Sequence, residues 1–415
     1  MVPFVLVTAL FFLWGIPNNL NDVLIRQFMK SFDITRFQAG LVQSAFYMGY
    51  FLLSMPAALI MRRFGYKTGL VIGLFLYGMG TLLFWPAALV QQYGFFLLAL
   101  FVIACGLAFL ETGANSFVSQ LGDPESSERR LNFCQAFNPL GAVTGVLVGT
   151  TFIFSGVELS QTQVASMKAA GTYGTYLRHE TMRVVTPYIL LSAVVILWAF
   201  LIIRTKFPHV TGETESADPA EHGRFRDLLR FPHFIKAVLA QFFYVGAQVG
   251  TWSYFITYVQ DYVHGSEKMA GYLLTGTLIA FGAGRFAATF LMRFIRPNVL
   301  MGAYSLVNIV LVGIGVLFPG WIGLWAIFLT SFFMSLMFPT IFALGLKGLG
   351  KDTKIGGSLI VMAIIGGAVF TPLMGLAFQF THSMAKAMLI PFACYAFIAY
   401  FAFFGSRVKA SLLAE

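Results

Sequence analysis

The chain has little charge, little cysteine and few histidines, and each shortage excludes a class of protein. Asp, Glu, Lys and Arg make up only 11% of its 415 residues, whereas soluble domains carry roughly 25%. With 58% hydrophobic residues and a mean hydropathy of +0.79, the chain is predicted to be an integral membrane protein. Its three cysteines all fall in apolar segments, and this odd number argues against a disulfide framework. All six histidines lie in loops or at the ends of apolar segments, so no metal centre is indicated.

The charges that are present are unevenly distributed. The formal net charge is +10, which in a soluble protein would suggest a nucleic-acid partner. If both termini face the cytoplasm, 18 of the 27 Lys and Arg residues lie on the cytoplasmic side, eight lie on the opposite side and one lies inside a span. Basic residues gather in the cytoplasmic loops of membrane proteins. We therefore expect a multi-pass protein of the plasma (inner) membrane with cytoplasmic termini and no nucleic-acid partner.

Apolar runs of about 20 residues, separated by short polar joints, predict twelve membrane-spanning helices. Their approximate ranges are 3–29, 36–62, 69–90, 94–120, 132–156, 185–204, 233–260, 270–292, 298–318, 321–346, 356–379 and 383–404. The longest polar interruption, 205–232, is read as a cytoplasmic loop between an N-terminal half, 1–204, and a C-terminal half, 233–415. A second polar segment, 157–183, is expected to be an external loop with a short helix. The first apolar run lacks a basic leader and a cleavage site, so we expect a retained span and not a signal peptide.

The most unusual stretch is WGIPNNLNDVLIRQF, which begins at Trp14 inside the first span. An Asp near the centre of a bilayer costs about 2.5–3.5 kcal/mol on insertion scales. Trp14, Asn18 and Asp22 are four residues apart, and Asn19 lies three residues before Asp22, so a helix places them in one stripe. A helix that accepts this cost is expected to turn the stripe toward a water-filled cavity.

Two more formally charged side chains lie well inside apolar spans: Glu111 in span 4 and Arg285 in span 8. Desolvation raises the pKa of a buried carboxyl from roughly 4 toward neutrality, where a change in water access can load or release a proton. Asp22 and Glu111 are therefore predicted to couple transport to a proton. The alternative is that each carboxyl pairs with a basic group or caps a kinked helix. For Arg285, substrate binding and a structural counter-ion are equally natural.

Neutral hydrogen-bonding groups recur at helical spacing in two other spans. Span 5 carries Asn132, Gln135 and Asn138, and span 7 carries Gln241, Tyr244 and Gln248, followed by Trp252. Amides pair with sugar hydroxyls, and aromatic rings stack on the C–H face of a sugar. We therefore interpret these residues as a sugar site. Polar contacts between helices are the competing interpretation, because they are common in membrane bundles.

Longer runs carry a resemblance to a known family. They include NNLNDVLIRQF, LETGANSFV and FCQAFNPLGA in the first half, and AQFFYVGAQVGTWSY and KIGGSLIVMAIIGG in the second. Together with the six-plus-six layout, they resemble the fucose–galactose–hexose group of the major facilitator superfamily, in order and over nearly the whole chain. The resemblance implies two six-helix halves around a central cavity. It implies a symporter that imports L-fucose, or a closely related sugar, together with a proton by alternating access.

The resemblance also implies roles for individual residues. Glu111 would take part in protonation coupled to sugar binding, and Asp22 would be needed for energised uptake. Trp14, Asn19, Gln135 and Asn138 would lie in the sugar cavity, with Arg285 facing them from the other half. No cofactor or metal is implied, and we expect the protein to work as a monomer in the lipid bilayer.

Two departures from the family pattern bear on mechanism and specificity. The superfamily's loop motif after span 2, G-x-x-x-D-R-x-G-R-R/K, has Arg62 here where Asp is expected. The family's Y-P-T-I-F motif in span 10 begins here with Phe338. The lost hydroxyl leaves open a preference for D-arabinose, L-galactose or another hexose. A carrier of another hexose such as galactose, glucose or N-acetylglucosamine, coupled to a proton or to sodium, is the alternative within the same class. A polytopic membrane enzyme and a non-transporting sugar receptor are the alternatives from other classes.

Overall fold

The structure is a computed structural model, and it describes residues 2–120, 133–135, 137–207, 228–349 and 353–407. Within these ranges the regular secondary structure is entirely helical. The twelve spans are formed, in order, by Val2–Phe32, Arg36–Phe64, Tyr66–Leu82 with Phe84–Val90, Tyr93–Gln120, Phe137–Val148 with the π turn Gly149–Ile153, Val185–Arg204, Pro232–Val263, Glu267–Leu291, Pro297–Leu317, Trp321–Met334 with Met337–Leu346, Thr353–Met362 with Gly366–Thr381, and Met384–Ala387 with Leu389–Tyr400.

The lengths of these helices agree with the predicted membrane spans. In the described ranges, eleven helical segments are long and apolar enough to cross a bilayer by length and composition. The helix of span 7, Pro232–Val263, is not among them, although its 32 residues are sufficient for crossing. The polar residues that make span 7 a candidate binding element also lower its hydropathy.

Several helix ends follow from local chemistry. Span 2 begins with a capping box, in which the Thr35 hydroxyl accepts from the Gln38 backbone N–H and the Gln38 side chain accepts from the Thr35 backbone N–H. Span 2 ends at Gly65, whose φ of 83° only glycine adopts freely, and span 3 follows immediately. The polar segment 157–183 contains two short helices, Gln161–Ala169 and Tyr173–Met182, where the sequence predicted one.

Two prolines inside spans release backbone carbonyls to other helices. Proline lacks an N–H, so the carbonyl four residues earlier has no helical partner. In span 1, Pro17 releases the Leu13 carbonyl, which accepts from the Tyr77 hydroxyl of span 3 at 3.0 Å. In span 10, Pro339 releases the Ser335 carbonyl where the helix is interrupted between Met334 and Met337. The Leu13 carbonyl therefore has a partner in span 3, and the Ser335 carbonyl is left available to accept a hydrogen bond from another side chain.

The chain divides into two compact units. The first contains Met1–Thr214 and His264–Thr275, and the second contains Glu215–Val263 and Gly276–Glu415. In the first unit, span 4 packs against spans 2 and 3, and span 1 packs against span 5. In the second unit, span 7 packs against spans 11 and 12, and span 9 packs against spans 10 and 12.

Glycines allow the helices of span 1 and span 5 to approach closely. A Cβ added at Gly141 or Gly145 would collide with the backbone oxygens of Phe12 or Ile16, and one added at Gly15 would meet the Asn138 oxygen. Small residues spaced in this way are typical of helix contacts in membranes, where backbones pack without intervening side chains. The seam fixes span 1, which carries the polar stripe, directly against span 5.

A buried ion cluster lies in the first unit. Lys30 Nζ is 3.2 Å from Glu180 Oε2 and 3.3 Å from Glu267 Oε1, and Arg26 is 3.7 Å from Glu267. The Glu267 backbone N–H donates to a Glu158 carboxylate oxygen at 2.8 Å. Buried carboxylates are stable only when paired. Arg26 and Lys30, which the predicted orientation places on the external side, therefore neutralise buried carboxylates.

Candidate functional site

The predicted polar stripe of span 1 lies inside the first unit. Trp14 is buried with its ring centroid 4.3 Å from that of Phe11, and Asp22 is also buried, with 3% of its surface exposed. Asn19 is buried and donates to the Gly15 carbonyl one turn earlier at 3.4 Å. Asn18 is half-buried. Span 1 therefore carries all four side chains of the stripe, three of them buried and Asn18 half-buried.

Asp22 is held by a side chain of span 2. Gln43 Nε2 donates to Asp22 Oδ1 at 2.9 Å, and both side chains are buried. The bond joins an amide to a carboxyl group and supplies no compensating charge. A hydrogen bond to a charged acceptor contributes about 1.5–3 kcal/mol. Gln43 therefore fixes the orientation of the carboxyl through a neutral donor.

Glu111 is held by the same face of span 2. Its carboxyl is hydrogen-bonded to the Tyr50 hydroxyl, and that hydroxyl also lies 3.4 Å from Asn18 Oδ1. Tyr47 lies within electrostatic reach of both Asp22 and Glu111. In the part of the chain that the structure describes, Glu111 forms no ion pair. The two intramembrane carboxyls of the first unit are thus connected through span 2 by neutral groups.

Sequence reasoning missed this contribution of span 2. Gln43, Tyr47 and Tyr50 follow one another at steps of four and three residues, which places them on one helical face. The run QSAFYMGY reads as an ordinary apolar segment with two tyrosines, because only Gln43 is strongly polar. The spacing of four and then three residues is the sequence pattern that could have revealed these three side chains as one polar face.

The amides predicted for span 5 have different surroundings. Gln135 is exposed and donates to Asn115 Oδ1 of span 4 at 3.4 Å. Asn138 is half-buried and donates to the Phe11 carbonyl of span 1 at 3.4 Å. Asn132 lies outside the described residues. These long bonds tie span 5 to its neighbours and leave most of the hydrogen-bonding capacity of both amides available.

The second unit contains a separate polar cluster on span 7. The Gln241 side chain is fully buried, and within the described residues neither of its amide atoms has a hydrogen-bond partner. The buried Tyr244 hydroxyl likewise has no hydrogen-bond partner there. Buried polar groups are normally paired, by protein or by a bound molecule. Gln248, two turns after Gln241, is half-buried.

Arg285 lies over an aromatic ring in the second unit. Its guanidinium carbon is 4.8 Å from the Phe281 ring centroid, and Nε donates to the Ser335 carbonyl at 3.4 Å. That carbonyl is the one released by Pro339, so the break in span 10 supplies a partner for the arginine. In the described part of the chain no carboxylate pairs with Arg285. The structural counter-ion interpretation therefore finds no support there.

Aromatic side chains complete this second cluster. Trp252 packs edge-on to Phe281 at 5.2 Å between centroids, and its indole N–H donates to Ser331 Oγ at 3.0 Å. The ring of Phe338 lies 6.2 Å from that of Tyr244. Each polar cluster therefore contains amides, aromatic rings and one kind of charged group, which is a carboxyl in the first unit and a guanidinium in the second. This chemistry suits a neutral polyhydroxylated molecule and a proton.

Comparison with known proteins identifies the family. The model of the Major Facilitator Superfamily matches residues 4–354. The chain belongs to the Major Facilitator Superfamily. This assignment confirms the predicted fold class of twelve transmembrane helices and the resemblance stated from the sequence motifs.

This major facilitator is similar to several described transporters. It is 44% identical to the L-fucose-proton symporter of Escherichia coli (strain K12), over 98% of this chain and 94% of that protein. It is 34% identical to a glucose/galactose transporter of Brucella abortus, over 96% of this chain and 93% of that protein. A solved structure of the transporter FucP in the outward conformation matches with a TM-score of 0.73 and 44% identity, covering 98% of this chain and 99% of that one.

Proposed function

We propose that this major facilitator imports L-fucose, or a closely related sugar, together with a proton by alternating access. The observation that carries the proposal is the setting of Glu111, whose carboxyl is hydrogen-bonded to a neutral phenol and forms no ion pair in the described ranges. A carboxyl held in this way can bind and release a proton without breaking a salt bridge. Asp22, hydrogen-bonded to Gln43, is proposed to serve energised uptake.

The sugar is proposed to bind to residues of both clusters: Trp14, Asn19, Asp22, Glu111, Gln135, Asn138, Gln241, Gln248 and Arg285. Amides and hydroxyls that have no hydrogen-bond partner among the described residues, such as those of Gln241 and Tyr244, would pair with the sugar hydroxyls. L-fucose is the first choice because the relative from Escherichia coli, with 44% identity, is named an L-fucose-proton symporter.

Another hexose is the second candidate, and two observations favour it. Phe338, beside Tyr244, has no hydroxyl where the family motif has one. A relative at 34% identity is named a glucose/galactose transporter. A site that pairs with a sugar hydroxyl rejects analogues that lack the pairing group. We therefore expect Phe338 to affect which sugar binds most tightly and not the coupling of transport to the proton.

The setting in the cell is proposed from the charge distribution and the family. The chain would lie in the plasma (inner) membrane with both termini cytoplasmic, because 18 of 27 basic residues then fall on the cytoplasmic side. It is also proposed to work as a monomer in the lipid bilayer.

The first experiment is uptake of labelled L-fucose into proteoliposomes that contain the purified protein. An inward proton gradient should drive accumulation, and a protonophore should abolish it. Glu111→Gln should still exchange labelled for unlabelled sugar but should not concentrate it. Asp33→Asn is the matched control, because Asp33 is an exposed carboxylate at a left-handed backbone position that Asn also adopts.

Three results would contradict parts of this proposal. Full accumulation by Glu111→Gln would remove Glu111 from proton coupling. Uptake driven by a sodium gradient at constant pH would replace the proton with sodium. Stronger competition by unlabelled galactose or glucose than by L-fucose would favour the second candidate substrate.

A further inference from the structure

The Tyr50 hydroxyl lies between two acceptors in the first unit. It is 3.4 Å from Asn18 Oδ1 and is hydrogen-bonded to the Glu111 carboxyl. The tyrosine is buried, with 5% of its surface exposed. Its ring packs against those of Phe46 and Tyr47, at 5.7 Å and 6.3 Å between centroids. The hydroxyl therefore reaches both partners from a fixed ring.

A phenol has one proton to donate, so it cannot donate to both partners at once. When Glu111 is ionised, its carboxylate can only accept, and it is the stronger acceptor because hydrogen bonds to charged groups are the stronger ones. The Tyr50 O–H then points to Glu111. When Glu111 is protonated, its own O–H can donate to the Tyr50 oxygen. The phenol proton is then free to bond to Asn18 Oδ1.

We propose that Tyr50 is a positioning residue that transmits the protonation of Glu111 to Asn18 on the polar stripe of span 1. With Glu111 protonated, Tyr50 donates to the Asn18 oxygen, fixes the amide and directs its N–H₂ toward the substrate. With Glu111 ionised, Asn18 loses this donor. The inference rests on the proposed function, in which Glu111 binds the coupled proton and the stripe binds sugar.

The consequence is a reciprocal link between proton and sugar. If protonation of Glu111 orients Asn18 and so raises the affinity for sugar, bound sugar must raise the affinity of Glu111 for the proton by the same factor. Other titratable side chains lie on the spans packed against span 4. Tyr47 of span 2 lies within reach of Glu111 and of Asp22 of span 1, and the Tyr77 hydroxyl of span 3 is bonded to the Leu13 carbonyl. Tyr50 differs from Tyr47 and Tyr77 in its contact with a neutral residue of the stripe.

Tyr50→Phe removes the hydroxyl and retains the ring. The measurement is the dissociation constant for L-fucose in detergent at acidic and at alkaline pH, together with exchange and gradient-driven uptake in proteoliposomes. The natural protein should bind sugar more tightly at acidic pH. The dissociation constant at alkaline pH divided by that at acidic pH measures this preference. In Tyr50→Phe we expect this ratio to shrink by about tenfold, the scale of one hydrogen bond to a charged group. Exchange should persist while accumulation falls by a similar factor.

Tyr188→Phe is the matched control. Tyr188 is a buried tyrosine of the same unit, stacked on Phe84 at 3.6 Å between centroids, and its hydroxyl has no hydrogen-bond partner in the described residues. Its variant should keep the natural pH ratio and natural accumulation. If Tyr50→Phe behaves in the same way as Tyr188→Phe, while the natural protein accumulates fucose with protons, the proposed role of Tyr50 is wrong and the proposed function stands. If the natural protein shows no proton-driven accumulation, the proposed function itself fails.

Asn18→Ala removes the acceptor of the contact between Tyr50 and Asn18. If Tyr50→Phe does not fold into the membrane, this second variant still tests the proposal. Removing the acceptor should reduce the pH ratio by about the same factor as removing the donor. In the double variant, the two effects should not add, because both substitutions break one interaction. Additive effects would mean that Tyr50 and Asn18 act independently, which would overturn the proposal.

Discussion

At the scale of single residues, Arg285 offers the sharpest test of sugar recognition. Its guanidinium is held over Phe281 and by the Ser335 carbonyl, which leaves other N–H groups for a ligand. Arg285→Lys keeps the charge but loses the planar arrangement of donors. We expect the dissociation constant for sugar to rise by about tenfold, equivalent to one charged hydrogen bond.

Titration calorimetry with the purified protein would measure this change. Arg293→Lys is the control, because Arg293 also lies over a ring, that of Phe290 at 5.9 Å, but is exposed. An unchanged affinity in Arg285→Lys would mean that the arginine only supports the break in span 10.

The sequence could predict residues of this kind only where polarity interrupts an apolar span. Asp22, Glu111 and Arg285 stand out because a charge in lipid is costly. Tyr50 does not stand out, since tyrosine is unremarkable in a membrane helix. Its role depends on Asn18 and Glu111, which lie on two other spans. Contacts between helices distant in sequence are not encoded in the periodicity of one of them.

At the scale of elements, the seam between spans 1 and 5 should be intolerant of added volume. A methyl group at Gly141 would collide with the Phe12 carbonyl oxygen, so the two helices would have to separate. Overpacking of this kind costs about 1–3 kcal/mol. Gly141→Ala should therefore lower the midpoint of thermal unfolding and should weaken sugar binding, because Asn138 lies one turn away on the same helix.

Fluorescence-detected thermal unfolding in detergent would test this, with Gly94→Ala as the control. Gly94 lies at the start of span 4, and a methyl added there meets nothing within 4 Å. Alanine should be neutral or slightly stabilising at that position, since it forms helix more readily than glycine. Equal unfolding midpoints for the two variants would contradict close packing at the seam.

Element boundaries could be predicted only in part. Span 1 was predicted as 3–29 and is observed as Val2–Phe32, because an apolar run of that length has few alternatives. Span 10 was predicted as 321–346, and in the structure its helix is interrupted between Met334 and Met337. Pro339 signals such a break, yet the sequence does not reveal that Arg285 bonds to the released carbonyl.

At the scale of the whole molecule, the twelve spans were predictable because bilayer thickness fixes helix length. Which residues belong to each compact unit was harder to predict. Residues 264–275 belong to the first unit although they begin span 8. Part of the reason lies in the ion pairs of Glu267 with Arg26 and Lys30. Such pairs join residues more than 230 positions apart, and no local pattern in the sequence specifies them.

The last prediction concerns the energetics of the complete carrier. L-fucose is uncharged, so import with one proton moves one positive charge inward. The membrane potential contributes about 2.3 kcal/mol per charge for each 100 mV, which corresponds to roughly fiftyfold accumulation at equilibrium. In proteoliposomes at equal internal and external pH, a potassium diffusion potential that is negative inside should therefore drive fucose accumulation.

Glu111→Gln supplies the internal comparison, because its sugar exchange should not respond to the potential. Doubling the potential should square the accumulation ratio of the natural protein if one charge moves per sugar. Accumulation that ignores the potential but follows the pH gradient would mean that a compensating charge moves with each proton. The coupling would then be electroneutral, and Arg285 would become the first residue to examine as the moving counter-charge.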